Sequence, residues 1–299
     1  RDASWSRGLG EVYKRQVKVQ YPGIAKSVES DVDNVITLLT LSRLLPKDLD
    51  IKPLVNEAKA QLLAEADYLR EADYLIRYKN ALNGNAHFKV PDVYTSHSTQ
   101  QVLTMEYVNA EPIESITEQP QSQRSFVAEQ LINLFFKEMF EFKLIQTDPN
   151  FANFHYQTET QKIVLFDFGA TREISTELSS AYLALFKAGS DNSREGVLKA
   201  ASQIGYFKDD IMDNYKNNVI DLFLMACEPL RHGGEFDFKH SELALKIKDA
   251  GLALSAQSQQ WHTPPVDALF IHRKLAGLYL IAARLGAKID VRALFSHFA

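Results

Sequence analysis

Residues 146–172 read Q-T-D-P-N-F-A-N-F-H-Y-Q-T-E-T-Q-K-I-V-L-F-D-F-G-A-T-R, and this stretch decides the fold. Asp148 stands five residues before Asn153, and a short apolar strand then leads into Asp167 of D-F-G. This order and spacing are typical of a phosphoryl-transfer site, in which D-x-x-x-x-N and D-F-G occupy neighbouring loops. We therefore predict that the three side chains converge on one pocket.

The residue types suit this chemistry because a transferred phosphoryl group needs position and charge more than covalent help. Carboxylates hold Mg²⁺, another carboxylate orients or deprotonates the attacking oxygen, and an amide carbonyl is a further hard donor. D-P-N and D-F-G could each be an ordinary turn, since Asp, Asn, Pro and Gly are frequent in loops. Their order, with a Val/Ile/Leu-rich strand between them, favours the phosphoryl-transfer interpretation.

The composition is that of an ordinary globular protein, and it narrows the classes of function. The 299 residues are 45% hydrophobic and 24% charged, which suffices for one large domain or two lobes. A net charge of -5 provides no basic surface, so nucleic acid is not expected as a main partner. The single cysteine, Cys227, excludes an intrachain disulfide and fits a reducing compartment, and we expect it to be buried.

The sequence also lacks the patterns of a membrane span and of a transition-metal site. No apolar run approaches about 18 residues. The richest run, residues 131–145, is interrupted by Lys and Glu and is typical of an amphipathic core helix. The eight histidines show no H-E-x-x-H or comparable ligand spacing.

The first 16 residues contain G-L-G-E-V-Y-K, a partial match to a glycine-rich loop that covers phosphates. The third glycine is missing and the connection to Lys18 is too short for a lid hairpin, so we interpret residues 1–16 as a truncated or non-native segment. Residues 17–20 then predict a strand, with Lys18 where a kinase strand lysine contacts the α- and β-phosphates. A solvent-facing strand lysine is the alternative.

Helical spacing of apolar residues predicts helices over residues 24–45 and 51–82. The second carries an acidic cluster, and an active kinase needs a helix glutamate that pairs with the strand lysine. We choose Glu65 for this role, with Glu57 and Glu71 as competitors. Each of these could instead be a solvated carboxylate in an i,i+4 pair.

Residues 88–94 and 101–108 predict two strands on either side of a polar turn. The second ends in M-E-Y-V, which resembles a kinase hinge. In that interpretation the backbone near Glu106 and Val108 meets adenine, and Met105 lines the back of the pocket. An ordinary edge strand with a methionine in the core is the alternative.

From residue 109 the chain becomes mainly helical, and the whole pattern predicts an α+β fold that is bilobal and protein-kinase-like. A small mixed N-lobe spans residues 17–108, a larger mainly helical C-lobe spans 109–299 with the catalytic and DFG loops, and the nucleotide is expected between them. The predicted C-lobe helices cover residues 121–144, 177–187, 193–204, 208–227, 241–255 and 266–285.

The chain resembles the ABC1/UbiB/COQ8 (ADCK, AarF) family of atypical kinases from residue 17 onward. The resemblance rests on V-K-V-Q-Y-P-G, A-E-A-D-Y-L-R-E-A, M-E-Y-V, Q-T-D-P-N-F-A-N-F, L-F-D-F-G-A-T-R-E and I-H-R-K-L-A-G. It implies ATP and Mg²⁺ as cofactors. The residue roles that it implies are catalysis by Asp148, Lys18 and Glu65, with Asp67 as the second acid of an E-x-D element, nucleotide binding by Lys18, Met105, Glu106 and Val108, and metal binding by Asn153 and Asp167.

The resemblance further implies ATPase or phosphotransferase activity that supports ubiquinone (coenzyme Q) biosynthesis. Lipid or quinone intermediates and membrane-bound biosynthetic enzymes are the implied partners. The implied location is the bacterial cytoplasm, peripheral to the inner membrane, or the mitochondrion of a eukaryote. A small-molecule phosphotransferase unrelated to quinone and a non-catalytic nucleotide-responsive scaffold remain alternatives. The family's K-x-G-Q helices and A-A-A-S-I-G-Q-V loop do not appear in the sequence, so an inactive fragment is one expectation.

The segment after D-F-G argues independently against a protein substrate. A protein kinase needs a long activation segment that ends in A-P-E and forms the platform for a peptide. Here residues 173–176 lead almost at once into a predicted helix, with Ser175 or Thr176 as its cap, and A-P-E does not follow. We therefore expect a small or lipid-like acceptor.

Overall fold

A computed structural model describes residues 14–24, 27, 32, 52–207, 211–256 and 265–299 of the chain. It has the mixed α+β architecture of a protein-kinase-like fold, with four small sheets and a mainly helical C-terminal part. The glycines of G-L-G and most of the predicted helix over residues 24–45 lie outside the described residues. None of the helices in the described ranges has the length and hydropathy needed to cross a bilayer.

The regular elements alternate in the first part of the chain and become mostly helical after residue 175. The strands are β1 (Arg15–Val19), β2 (Phe88–Lys89), β3 (Val102–Glu106), β4 (Glu111–Pro112), β5 (Leu144–Gln146), β6 (Phe154–Gln157), β7 (Lys162–Leu165), β8 (Thr171–Glu173), β9 (Phe236–Asp237) and β10 (Lys288–Ile289). The helices are α1 (Lys52–Glu65), α2 (Tyr68–Ala81), α3 (Gln121–Lys137), α4 (Thr176–Ser190), α5 (Arg194–Ile204), α6 (Asp213–Ala226), α7 (Glu228–Arg231), α8 (Leu243–Ala256), α9 (Val266–Leu285) and α10 (Val291–Phe295).

The predicted strand over residues 17–20 is confirmed as β1, which pairs antiparallel with β3 and places Lys18 opposite Leu103. The strand predicted over residues 88–94 is wrong beyond its first two residues. Phe88–Lys89 pairs in parallel with β7 instead, and only Val93 bridges to Met105. Pro91 explains the interruption because proline has no N–H to donate to a ladder.

The single helix predicted over residues 51–82 is also wrong, because the structure has two helices with a break at Asp67. Asp67 adopts φ −105° and ψ 96°, and its carboxylate accepts the N–H groups of Leu69 and Arg70. An aspartate that satisfies the first free N–H groups of a helix is a favourable N-cap. The local hydrogen bonds therefore start a new helix where apolar spacing alone predicts continuity.

The predicted C-terminal helices are confirmed to within a few residues at their described ends, except the first. Residues 121–144 form α3 as far as Lys137 and then a π-helical turn, Glu138–Phe142. Lys143 follows in the left-handed region at φ 52°, which ends the helix and turns the chain into β5. Ser175 caps α4 by accepting the N–H of Leu178, as one of the two predicted caps.

One cluster of buried apolar residues extends through the helical part, and helix α9 contributes Ile271, Leu278 and Ile281 to it. Cys227 is buried, as expected, and burial raises the pKa of its thiol to about 12. On α9, His272 is partly buried and lies between two tyrosine hydroxyls, with Nε2 3.0 Å from Tyr206 Oη and 3.3 Å from Tyr182 Oη. Burial lowers the pKa of His272 from 6.5 to about 4, because the charged imidazolium is less well solvated there than in the unfolded chain.

We expect His272 to make folding stability depend on acid pH. The unfolded chain takes up this proton below pH 6.5 and the folded chain only near pH 4, so stability is complete above 6.5 and falls between those values. The slope approaches about 1.4 kcal/mol per pH unit. Urea unfolding from pH 4.5 to 7.5 measures it, and His272→Gln should flatten the curve. Equal slopes for both proteins would contradict the assignment.

Candidate active site

The loop between β5 and β6 brings Asp148 and Asn153 together. Asn150 accepts the N–H of Ala152 and starts a single 3₁₀ turn, Phe151–Asn153, which folds the loop back on itself. As a result, Asn153 Nδ2 donates to Asp148 Oδ2 at 2.9 Å and to the Asp148 carbonyl at 3.1 Å. The predicted D-x-x-x-x-N spacing thus corresponds to a direct contact between the two side chains.

Asp167 lies on the neighbouring loop, just after β7. The backbone N–H of Phe166 donates to the Asn153 carbonyl at 3.3 Å, and Asp167 Oδ1 accepts the N–H of Gly169 at 3.0 Å. The side chain of Gln146 ties the two loops together, since its Nε2 donates to the carbonyls of Asp148 at 2.8 Å and Asp167 at 3.3 Å. The structure therefore places the three predicted residues on two loops that Gln146 ties together, with Asn153 and Asp167 lining one pocket.

Lys18 reaches this place from strand β1. Its Nζ lies 3.0 Å and 3.1 Å from the two carboxylate oxygens of Glu71 and 3.3 Å from Asp167 Oδ2. Burial would lower the pKa of Lys18, but the two carboxylates outweigh it and raise that pKa. The ring of Tyr68 lies 5.0 Å from the same ammonium and adds a cation–π contact. Lys18 is thus held as a cation beside Asp167.

Glu71, which was predicted only as a competitor of Glu65, is the helix glutamate that pairs with Lys18. Its side chain is only 1% exposed, and burial together with Asp167 raises its pKa while Lys18 opposes that rise. The prediction that Glu65 pairs with Lys18 is wrong in this structure. Glu65 is the last residue of α1, before the break, whereas the Asp67 cap starts α2 and places Glu71 in its first turn, where it faces Lys18.

The two other acidic candidates have different contacts. Glu65 accepts a hydrogen bond from Gln61 at 2.9 Å, and its Cα and Cγ lie 3.7 Å from where a Cβ on Gly169 would stand. Glu57 forms an ion pair with Arg172 at 2.6 Å. Glu65 therefore lies beside the D-F-G segment, and a catalytic role for it stays a prediction.

Arg273 is a site residue that the sequence did not predict. Its Nη2 lies 3.1 Å from Asp148 Oδ1, and its Nε donates to the Thr147 carbonyl at 3.0 Å. Arg273 and Asn153 therefore hold opposite oxygens of the Asp148 carboxylate and fix its orientation. The available signal was its position inside I-H-R-K-L-A-G, a string that carries the family resemblance.

The donors present fit Mg²⁺ when the ion is shared with a nucleotide. Because Asn153 points its NH₂ group at Asp148, its carbonyl oxygen is left for another partner, and the Asp167 carboxylate is 39% exposed. Within the described ranges no cluster of three or more His, Cys, Asp or Glu could hold a metal alone. Mg²⁺ accepts such a set, since it binds few protein oxygens and completes its shell with phosphates and water.

The predicted hinge residues Met105 and Glu106 end β3, and Val108 lies just beyond it. Met105 is 2% exposed and Val108 is 8% exposed, so both pack against the interior. The Glu106 N–H donates to the Asp92 carbonyl at 2.7 Å, and its carboxylate accepts from Lys89 Nζ at 2.7 Å. These contacts fix the backbone at this point, and the contact with adenine stays a prediction.

A comparison with protein families decides the relationship of this chain. The ABC1 atypical kinase-like domain matches residues 11–201, which include β1, α2, the catalytic loop and D-F-G. The chain belongs to the ABC1 atypical kinase-like family. Lys18, Glu71 and Asp167, which contact one another in this ABC1 chain, all lie inside the matched region.

Individual relatives agree with the ABC1 assignment. The chain is 35% identical over 279 residues to the mitochondrial atypical kinase COQ8B of Rattus norvegicus, covering 93% of this chain and 52% of that protein. It is 34% identical over 282 residues to the mitochondrial atypical kinase COQ8 of Saccharomyces cerevisiae, covering 93% and 56%. The ABC1 chain thus spans about half the length of the curated relatives it matches.

A solved structure supports the fold of this ABC1 chain. The Rv3197–erythromycin complex from Mycobacterium tuberculosis superposes with a TM-score of 0.70 at 19% identity, covering 96% of this chain and 71% of that one. At this identity the likeness extends to the fold alone. Erythromycin is the ligand of that protein and carries no inference for this site.

Proposed function

We propose that this chain binds Mg-ATP and either hydrolyses it or transfers its γ-phosphoryl group to a small or lipid-like acceptor in ubiquinone synthesis. The observation that carries the proposal is the contact of Lys18 Nζ with Glu71 at 3.0 Å and with Asp167 at 3.3 Å. A strand lysine held by a buried helix glutamate beside the D-F-G aspartate is the arrangement that phosphoryl transfer requires.

Exposure supports a division of roles among these three residues. The side chains of Lys18 and Asp167 are 35% and 39% exposed, whereas that of Glu71 is 1% exposed. Lys18 and Asp167 can therefore meet a ligand, while Glu71 orients Lys18 from within. In the proposed complex Lys18 donates to the α- and β-phosphate oxygens.

The remaining site residues complete the proposed mechanism. Asn153 and Asp167 would hold Mg²⁺, which, when bound, neutralises charge that develops on the phosphate oxygens. Asp148, fixed by Asn153 and Arg273, would orient the attacking hydroxyl or water. With both carboxylate oxygens already engaged, positioning of the nucleophile is the contribution we assign to Asp148 first.

The acceptor is proposed from the path of the chain after D-F-G. Strand β8 pairs at once with β5, with Thr171 opposite Gln146, and α4 begins at Thr176. This short connection leaves little backbone from which to build a peptide platform. A small or lipid-like acceptor therefore suits the site better than a protein.

The link to ubiquinone rests on the family. The relatives described above are mitochondrial atypical kinases, and the family resemblance implies a link to coenzyme Q biosynthesis. We propose the same support role for this chain, with lipid or quinone intermediates and membrane-bound enzymes as partners. A mitochondrial location, or a peripheral one at a bacterial inner membrane, accompanies this proposal.

The proposal is tested by nucleotide binding with Lys18→Ala. A ligand that binds only the folded protein raises its melting temperature, so Mg-ATP should stabilise the wild type, and EDTA should remove that gain. Loss of a charge-assisted contact worth about 1.5–3 kcal/mol should weaken affinity at least about tenfold. Lys246→Ala, at an exposed helical lysine, is the matched control and should bind as the wild type does.

Two outcomes of this experiment would contradict the proposal. The first is a wild-type protein whose melting temperature does not respond to Mg-ATP. The second is an identical response of Lys18→Ala. Analysis of the products then separates the reaction types, because hydrolysis releases inorganic phosphate whereas transfer yields a phosphorylated acceptor in stoichiometric amount.

A further inference from the structure

A buried lysine lies directly behind the catalytic loop. Lys274 on α9 is 2% exposed, and its Nζ lies 3.1 Å from Gln146 Oε1 and 3.5 Å from Glu138 Oε2. The same Nζ lies 5.5 Å from the centre of the Phe154 ring. A buried charge is costly unless it is paired and hydrogen-bonded, so each of these contacts has to be maintained.

The carboxamide of Gln146 connects this lysine to the active site. Its oxygen accepts from Lys274, and its NH₂ group donates to the backbone carbonyls of Asp148 and Asp167. The reversed amide would turn its oxygen toward two carbonyl oxygens and its NH₂ group toward an ammonium. Because both reversed contacts are unfavourable, the surroundings admit one orientation of the amide.

Glu138 completes the buried set on the other side. It belongs to the π-helical turn after α3, and its Oε1 lies 3.0 Å from the hydroxyl of Tyr78. Burial lowers the pKa of Lys274 and raises the pKa of Glu138, and each residue opposes the shift of the other. Removing one member of this pair therefore leaves the other buried without its opposite charge.

We propose that Lys274 and Gln146 are positioning residues that fix the catalytic loop relative to the D-F-G segment. By holding the two backbone carbonyls, they fix the backbone positions of Asp148 and Asp167. These positions determine whether both side chains can contact the same metal–nucleotide complex. This inference rests on the proposed function, because it concerns the same site.

Two observations favour positioning over a purely structural ion pair. A buried ion pair contributes little to stability and can often be replaced by apolar residues of similar volume without loss. Because stability alone gives little reason for the Lys274–Glu138 pair, we infer that the pair has a second role. The amide of Gln146 also links the backbone of the catalytic loop to that of the D-F-G segment. An ion pair with a purely structural role would not need a hydrogen-bonded link to these two segments.

The first test separates charge balance from positioning. Lys274→Met alone leaves buried Glu138 without its opposite charge and should lower the melting temperature. The double variant Lys274→Met/Glu138→Gln removes both charges at nearly constant volume and should regain most of that stability. We expect the double variant to keep a turnover about 100-fold below that of the wild type, because a misplaced catalytic group costs about that factor. Recovery of wild-type turnover would overturn the proposal.

A second variant tests the bridge itself. Gln146→Glu still accepts from Lys274 but cannot donate to the carbonyls of Asp148 and Asp167. We expect a loss of turnover comparable to that of the double variant, with a higher Mg²⁺ concentration needed for half-maximal nucleotide binding. Thr160→Ala, which loses only an exposed hydroxyl contact to Gln157, is the control. Wild-type Mg²⁺ dependence in Gln146→Glu would contradict the proposal.

Hydrogen exchange provides a readout that needs no nucleotide. In the unliganded protein, amides in residues 147–153 and 167–170 should exchange at least about tenfold faster in Gln146→Glu and in the double variant than in the wild type. Unchanged exchange would overturn the positioning role. A wild type that binds no nucleotide would instead remove the proposed function, and the exchange result would still decide the role of Lys274 and Gln146.

Discussion

Asp167→Asn is expected to abolish Mg²⁺-dependent nucleotide binding and to leave the unliganded protein folded. The amide keeps the shape of the side chain but removes the negative charge that Mg²⁺ requires from its main protein ligand. The fold should tolerate the change, because Glu71 still pairs with Lys18 at 3.0 Å. Removing one of two neighbouring carboxylates also lowers their mutual repulsion, which contributes to the raised pKa of Glu71.

Paired thermal unfolding measures this result. At a concentration one hundred times Kd, a ligand stabilises the folded state by about 2.7 kcal/mol, and Asp167→Asn should lose that gain. Asp73→Asn is the matched control, since Asp73 lies on the exposed face of α2 and pairs with Arg77 at 3.8 Å. A full Mg-ATP response in Asp167→Asn, or an equal loss in Asp73→Asn, would contradict the metal-ligand assignment.

The catalytic loop could be predicted from the sequence because its contacts are local. Asp148 and Asn153 are five residues apart, and a single turn capped by Asn150 suffices to bring them together. Asp167 follows after one hairpin, in which Phe154 pairs with Leu165. Short loops leave few alternative geometries, so residue type and spacing carried most of the information.

The partner of Lys18 was harder to predict because it depends on a helix boundary. In one continuous helix, Glu65 and Glu71 are equally plausible partners, and apolar periodicity does not distinguish them. The break at Asp67 decides the matter by starting a new helix with its own direction. An aspartate just before an apolar helical residue is a start signal, and giving it more weight would have favoured Glu71.

The contributions of α9 could not be predicted, because they come from contacts 66 to 128 residues away in sequence. His272, Arg273 and Lys274 point in three directions, toward two tyrosines, toward Asp148 and toward Gln146. Successive helical residues differ by about 100° in direction. No periodic pattern marks which of the three faces an active site, and only the packing of α9 against the catalytic loop decides it.

Helix α9 also approaches that loop closely at Gly277. A Cβ added at Gly277 would lie 2.1 Å from Pro149 Cβ and 2.2 Å from Pro149 Cγ. Atoms at that separation overlap, and the proline ring is stiff, so the backbone on one side has to move. Because Pro149 follows Asp148 directly, any displacement of the loop also moves the catalytic carboxylate.

Gly277→Ala is therefore expected to lower turnover about 100-fold and the free energy of unfolding by about 3 kcal/mol. Helix propensity alone predicts the opposite sign, since alanine is favoured over glycine inside a helix by about 1 kcal/mol. Gly251→Ala on α8 isolates that propensity effect, because no atom of the described residues lies within 4 Å of its added Cβ. This variant should be more stable than the wild type and have unchanged turnover. Urea unfolding and ATP turnover of both variants measure the difference. A Gly277→Ala protein as stable and as active as Gly251→Ala would show that α9 does not support the catalytic loop at this point.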